Sequence, residues 1–354
     1  MNVVRLHGPA DLRFHQEPLP QPAPGEALVR VTAVGVCGSD LHWLSEAGIG
    51  NDQLTQPLVL GHEFAGVVEG ELPADVPWLS AAPRSGGGLR VAVDPAISCG
   101  MCAYCLEGNP NFCEKLRFAG HSVNDGALRE YLAWPARFLH PLPDSLSDAD
   151  GAMLEPLGVA LHAFDLGHVK PGMSVGVFGC GPIGLLILQV ARAAGAAYLF
   201  ATDPLPHRLE AARELGAIAV QAGPHSEEVA ELRQTIAQIA GRPGVDVAFE
   251  AAGEDPAVET AVEAARAGGR VVIVGIPAVD HYTFTASTAR RKGLTIAICR
   301  RMKHTYPRAI RLVETGRVDV RSLVTHRFPL AQVHEAFAMA NRREGLKIVV
   351  DVGG

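Results

Sequence analysis

At 354 residues the chain is long enough for two domains of ordinary size, each with its own core. Its composition, 48% hydrophobic and 19% charged, is that of a globular protein, and a formal charge of -7 argues against nucleic acid or an acidic membrane surface as partner. No run approaches the ~20 consecutive apolar residues of a membrane span, and the opening residues lack a basic stretch leading into an apolar core. The expectation is a cytoplasmic protein, in which seven cysteines read as thiols or metal ligands before disulfides.

From Asn2 to about Ala33, short apolar runs are broken by Pro18, Pro20, Pro22, Pro24 and Gly25, and Leu28 to Val34 has strand character; the segment reads as β-rich. Cys37-Gly38-Ser39-Asp40-Leu41-His42-Trp43 reads as a loop carrying a thiol, a hydroxyl and an imidazole. Gly61-His62-Glu63 then places a histidine and a carboxylate in a loop feeding the next strand. Cys37, His62 and Glu63 are a candidate metal triad, because a catalytic zinc takes three protein ligands and keeps one position open. Taken singly, they also read as a buried thiol, a solvated histidine and a surface carboxylate.

Residues 69–90, rich in Pro, Gly and Ser, read as a surface excursion rather than an element, and Val91 to Asp94 restores strand character. Cys99, Cys102, Cys105 and Cys113 then fall within 15 positions. Four thiolates so close suit a tetrahedral structural zinc that stiffens a lobe lacking a core of its own; disulfides and an iron–sulfur cluster are the alternatives. Residues 125–134 and 138–143 look like further strands of the same lobe. Asp148 to Glu155 is helical in flavour, and Glu155-Pro156 opens a helix with a carboxylate at its N-terminal edge.

The most organised stretch runs from Ser174 to Asp203. A short apolar run enters Gly179-Cys180-Gly181-Pro182-Ile183-Gly184, an alanine-rich helical segment follows, and Tyr198 to Asp203 is a second apolar run ending on a carboxylate. That is the pattern of a dinucleotide-binding unit. Gly179 permits the tight turn, Gly181 admits a pyrophosphate, and Gly184 lets helix and strand pack. The phosphates meet free N–H groups at the positive end of the helix. Asp203 stands where an acid grips the adenosine ribose, so NAD is expected over NADP, with Arg208 leaving room for the latter. Alternation continues: 209–215 and 227–240 are helical, 246–250 a strand, 256–267 a helix, and 270–274 a strand ending at Gly275-Ile-Pro277. This predicts an α/β fold with a doubly wound parallel sheet. Leu294 to Cys299 is the last apolar run before a basic knot, Arg300, Arg301, Lys303 and His304. Residues 324–329, a helix to Asn341 and residues 346–351 close the chain. Cys180 and Cys299 read as packing thiols.

Taken together, Cys37-Gly-Ser-Asp-x-His42, Gly61-His-Glu63, the four-cysteine lobe, Glu155-Pro-Leu157 and the Gly-x-Gly-Pro-Ile-Gly turn resemble one family over nearly the whole length: the zinc-dependent medium-chain dehydrogenases, sorbitol (polyol) dehydrogenase branch. The resemblance implies a GroES-like, β-rich catalytic domain from 1–153 and 295–354 around a Rossmann domain at 154–294. It implies NAD and two zinc ions per chain, a catalytic one on Cys37, His62 and Glu63 in the interdomain cleft and a structural one on the four-cysteine lobe. Glu155 would lie beside the catalytic zinc, as a ligand or holding its water. Ser39 and His42 match proton-relay positions, Phe118 and Arg300 substrate-side positions, and Gly275 falls on the cofactor side. The implied activity is hydride transfer from a secondary hydroxyl of a polyol or sugar acid to NAD, in a homotetramer or homodimer. L-Threonine 3-dehydrogenase or L-idonate 5-dehydrogenase activity is the alternative within the enzyme class; a non-catalytic NAD-binding protein is the alternative outside it. Two departures, Trp43 where a tyrosine is common and Arg301 where an aromatic is common, are expected to alter the pocket rim.

Overall fold

The computed structural model describes residues 1–73, 76–82, 88–223 and 225–353. They divide into two compact units: Met1–Glu155 with Tyr306–Thr315 and Val320–Gly354, and Pro156–Thr305 with Gly316–Asp319.

In the first unit the strand Glu26–Gly35 is the organising element. Ala27, Val29 and Val31 are buried and Leu28, Arg30 and Thr32 partly exposed, the period-two pattern of a strand with one face on a core, until a register shift after Val31 leaves both Ala33 and Val34 buried. It pairs antiparallel with Glu63–Glu69, Tyr131–Pro135 and Lys347–Asp351. Leu89–Val93 and Leu139–Pro141 extend the sheet on one side and Val324–Pro329 on the other. The register sets Gly35 opposite both Glu63 and Val349, so the head of one strand and the C-terminal strand meet over a glycine. A Cβ on Gly35 would stand 2.1 Å from Oε2 of Glu63 and 3.0 Å from Cε of Lys347. Only glycine leaves room for that pair.

Two expectations for this unit are corrected. The segment from Cys37 is not a loop: Gly38–Glu46 is a helix. Gly38 and Ser39 are weak helix formers, but Asp40 accepts the Cys37 N–H at 3.0 Å and secures the helix start. Nor is 69–90 wholly a surface excursion. Pro77–Ser80 forms a short helix, and Val76 and Leu79 are fully buried in the core beside Leu89. Ala74, Asp75 and Pro83 to Gly87 of that stretch lie outside the described residues.

The second unit holds a six-stranded parallel sheet in the order Ile218–Gln221, Tyr198–Asp203, Ser174–Phe178, Val245–Glu250, Ala265–Ile273, Thr295–Ile298. Counted within the unit this is 3-2-1-4-5-6, the doubly wound order, with the reversal beside Ser174–Phe178. That strand is buried at every position, as a parallel strand covered on both faces must be. The helix expected over 256–267 ends at Ala264, and the next strand begins at Ala265 rather than 270. Residues 265–267, expected to be helical, and Gly268 and Gly269 after them all belong to that strand.

Asp246 ties this unit together. One oxygen accepts from Ser174 N at 2.8 Å and Ser174 Oγ at 2.9 Å, the other from Arg266 Nε at 2.8 Å, and Arg242 adds an ion pair. Burial pushes the carboxyl up, but Arg266, the Ser174 donors and Arg242 outweigh it, and the acid sits below its ordinary range. A depressed carboxyl contributes stability that is present above its unfolded pKa and lost as pH falls through the folded one. Asp246→Asn is therefore expected to cost about 1–3 kcal/mol at neutral pH, since both arginines are partly exposed, and less at about pH 3. Urea unfolding at the two pH values checks it.

Candidate metal centre and nucleotide site

Sheet register and one helix start gather the first cluster. Cys37 precedes the helix Gly38–Glu46, His62 precedes the strand Glu63–Glu69, and Glu63 begins it. Their ligand atoms lie within 4.8 Å of one another. Asp40, fully buried, links the two segments that carry them. Its Oδ2 accepts from Cys37 N, while its Oδ1 accepts from Gly61 N at 3.3 Å and lies 3.4 Å from His62 Nδ1. That contact orients the imidazole and leaves Nε2 facing the other donors; Ser39 Oγ is 3.5 Å from it.

The electrostatics of this cluster favour a cation. Burial pulls His62 down, yet Asp40 and Cys37 outweigh it and hold its pKa well above the ordinary imidazole value. Lys347, also buried, is held up by Glu63 and Cys37 against burial, and its ammonium pairs with Oε2 of Glu63. Glu155 lies in the same unit at the start of the helix Leu154–Gly167. Burial, opposed by His62 and reinforced by Glu63 and Asp94, pushes its carboxyl up to about 7. His42 is half-buried with Nδ1 3.7 Å from Glu46. Phe118 tilts against His62 with ring centroids 5.3 Å apart. Trp43 is not a rim residue: it is 1% exposed and stands edge-on to His121 at 5.4 Å.

Cys99, Cys102, Cys105 and Cys113 form the second cluster, again with ligand atoms within 4.8 Å. All four are free thiols, which removes the disulfide alternative. The Cys102–Cys105 and Cys99–Cys105 sulfurs are 3.5 Å and 3.9 Å apart. Those values bracket the edge of about 3.8 Å of a tetrahedron with Zn–S bonds of about 2.3 Å. The N–H groups of Met101 and Cys102 help pull Cys99 down to about 6.

The second unit carries the glycine turn. Gly179 has φ +101°, and a Cβ there would strike Ala252 N at 2.7 Å. A Cβ on Gly184 would lie 1.9 Å from Gly179 O, so helix and turn touch through backbone alone. Around Gly181, by contrast, nothing comes nearer than Nη1 of Arg208 at 3.7 Å, and Pro182 and Ile183 begin the helix Pro182–Ala193 behind it. Asp203 is buried; its two oxygens accept from Cys180 N and Leu205 N, each at 2.8 Å. Each carboxylate oxygen keeps a further lone pair. Gly275 abuts Gly253 N and the buried Glu250, whose Oε1 gathers Ala252 N and Gly253 N. Cys180 is buried and Cys299 half-buried. Arg300 is exposed beyond the strand Thr295–Ile298, and Arg301 follows it at φ +55°.

Residues 23–144 match the family model described as alcohol dehydrogenase GroES-like domain, and residues 182–315 the one described as zinc-binding dehydrogenase. The sorbitol dehydrogenase of Bacillus subtilis is 34% identical over 352 residues, spanning 99% of this chain and 97% of that protein. The chain belongs to the zinc-dependent medium-chain dehydrogenases. This dehydrogenase is also 36% identical over 344 residues to the L-idonate 5-dehydrogenase of Vitis vinifera, spanning 95% of this chain and 90% of that protein. An alcohol dehydrogenase from Thermus sp. ATN1 matches with TM-score 0.88 and 30% identity over 100% of each chain. The molecule is thus an enzyme with zinc and NAD as cofactors. The residues present fit the metal: a half-buried thiol, a buried imidazole and a buried carboxylate converge where the surroundings favour positive charge, and a separate four-thiolate cluster suits a closed site. No helix among the described residues is long and apolar enough to cross a membrane.

Two side chains that brace the first cluster escaped the sequence reading. Asp40 left only a Cys-x-x-Asp spacing, and Lys347 only a lone cation in the apolar run Leu346 to Val350.

Proposed function

We propose that the enzyme moves a hydride from a secondary hydroxyl of a polyol or sugar acid to NAD, giving a ketose or keto acid. The observation that carries this reading is the Cys37–His62–Glu63 cluster, its imidazole and carboxylate buried and its thiol half-buried, braced by Asp40 and Lys347, with a neutral-leaning acid, Glu155, in the same unit. A zinc ion held by Cys37, His62 and Glu63 supplies Lewis acidity toward an alcohol oxygen. Glu155, its carboxyl near neutrality, is suited to hold and pass a proton at working pH. Ser39 and His42 serve as hydroxyl and imidazole stations for the same proton, and Phe118 and Arg300 contact substrate.

In the second unit Gly179 to Gly184 receive the pyrophosphate on open N–H groups, Asp203 takes the adenosine ribose, and Gly275 with Arg208 completes the cofactor wall. The four-cysteine cluster holds a zinc that shapes its lobe. A catalytic domain built from both chain ends around a nucleotide domain accommodates these roles, with the strand Thr295–Ile298 on the nucleotide side. Homodimer or homotetramer formation along the edge strand Thr295–Ile298 is supported by Ile298, which leaves 62% of its surface exposed there. We place the enzyme in the cytoplasm.

The test is NADH formation with sorbitol, xylitol, idonate and L-threonine, each run with NAD and NADP. Turnover of the polyols or idonate with NAD is expected; preferential turnover of threonine would overturn the substrate assignment. Lys347 offers a separate check. Lys347→Met leaves the Glu63 carboxylate buried without its partner and is expected to weaken zinc retention about 10–100-fold, with Lys347→Arg restoring most of it. Competition with a chromogenic chelator measures both.

A further inference from the structure

A line of aromatic rings leads from His62 to a histidine with an acidic partner. Phe118, tilted on His62, meets His121 edge-on with centroids 6.4 Å apart. Trp43 backs His121 nearly perpendicularly, and its own indole N–H is buried without a hydrogen-bond acceptor. Trp43 therefore fixes the imidazole from behind rather than presenting a surface. His121 keeps 23% of its side chain exposed, and its Nε2 lies 3.6 Å from Oδ2 of Asp52. Asp52 is itself exposed, on a short hairpin strand, Asp52–Gln53. All five residues belong to the first unit.

Resting on the dehydrogenase reading above, we propose that His121, paired with Asp52, determines specificity at the end of the substrate remote from the reacting carbon, and selects a neutral polyhydroxylated chain over one ending in a carboxylate. An imidazole whose Nε2–H faces a carboxylate holds that carboxylate in place as an acceptor. Hydroxyl groups can answer it, since each has a proton to donate. A terminal carboxylate only accepts, and in reaching the imidazole it meets the charge of Asp52, the repulsive element that specificity requires. The edge of Phe118 supplies an apolar wall between this pair and His62, against which the carbon backbone of an open chain can lie.

The experiment compares kcat/KM of the zinc-loaded enzyme for sorbitol, idonate and 2,3-butanediol, a short diol without the distal hydroxyls. His121→Phe, which keeps an aromatic ring between Trp43 and Phe118, is expected to raise KM for sorbitol about tenfold with little change in kcat, and to affect 2,3-butanediol far less. Asp52→Asn is expected to shift the idonate-to-sorbitol ratio about tenfold toward idonate. Loss of the sorbitol-induced rise in melting temperature of the NADH complex in His121→Phe is a second, non-kinetic readout. An equal loss on both alcohols would mean that His121 only packs, and an unchanged ratio in Asp52→Asn would remove the charge argument; either overturns the proposal while leaving the dehydrogenase reading intact. A zinc-loaded parent enzyme that oxidises no alcohol would overturn both.

Discussion

Cys37→Ser is expected to reduce alcohol oxidation by roughly a thousandfold or more, the ~4 kcal/mol that one strong electrostatic contribution to a barrier represents. The argument is local. Cys37 supplies the one soft donor of its cluster, and Asp40, which accepts the Cys37 N–H, secures the helix start and the His62 segment together. A serine keeps that N–H and therefore the backbone, but replaces a thiolate by a hydroxyl that binds zinc poorly. Metal content should fall by one zinc per chain. The fold and NADH affinity should persist, because the glycine turn and Asp203 belong to the other unit and make their contacts within it. Elemental analysis, fluorescence titration with NADH and initial rates read these outcomes separately. Full turnover by the variant would remove the metal assignment.

The largest structural effect is expected at the other cluster. Met101, Tyr104, Leu106 and Phe112 around it are all exposed, and of its four cysteines only Cys113 is buried. Such a lobe has no apolar core to close it. Structural zinc in small domains contributes about 10–16 kcal/mol of apparent binding free energy at neutral pH, strongly coupled to folding. Cys105→Ser is therefore expected to abolish tight zinc binding there and to open residues 99–113. Limited proteolysis should move its first cut into that segment, with the melting temperature falling by several degrees or more. Cys37, His62 and Glu63 should still hold their metal, so the zinc count drops by one rather than to none. An unchanged digestion pattern would contradict the account.

How much was legible depended on whether a partner was local. The strands Ser174–Phe178 and Tyr198–Asp203 were readable to the residue, because short apolar runs between glycine turns leave no competing period. The doubly wound α/β class followed from their alternation with helices. By contrast, Gly38 and Ser39 disguised a helix whose stability comes from Asp40, and Val76 and Leu79 disappeared among prolines and glycines although they anchor their segment in the core. The four cysteines announced themselves by spacing. The chemical types in the other cluster were visible, but their convergence depends on the register that sets Gly35 against Glu63, and no local pattern encodes that. Lys347 stands 284 positions from Glu63, and His121 69 positions from Asp52, so neither pairing has a periodic signature. Trp43 was misjudged for the same reason: its neighbour, His121, is distant in sequence, and the indole lies behind it rather than at the rim.

The most direct test of the central assignment is a crystal of the fully active enzyme measured just above and just below the zinc absorption edge. The account predicts two anomalous peaks per chain, one among the four thiolates and one about 2.3 Å from Cys37 Sγ and within bonding reach of His62 and Glu63. A single peak at the four-cysteine lobe, in a preparation that oxidises its alcohol at full rate, would contradict it.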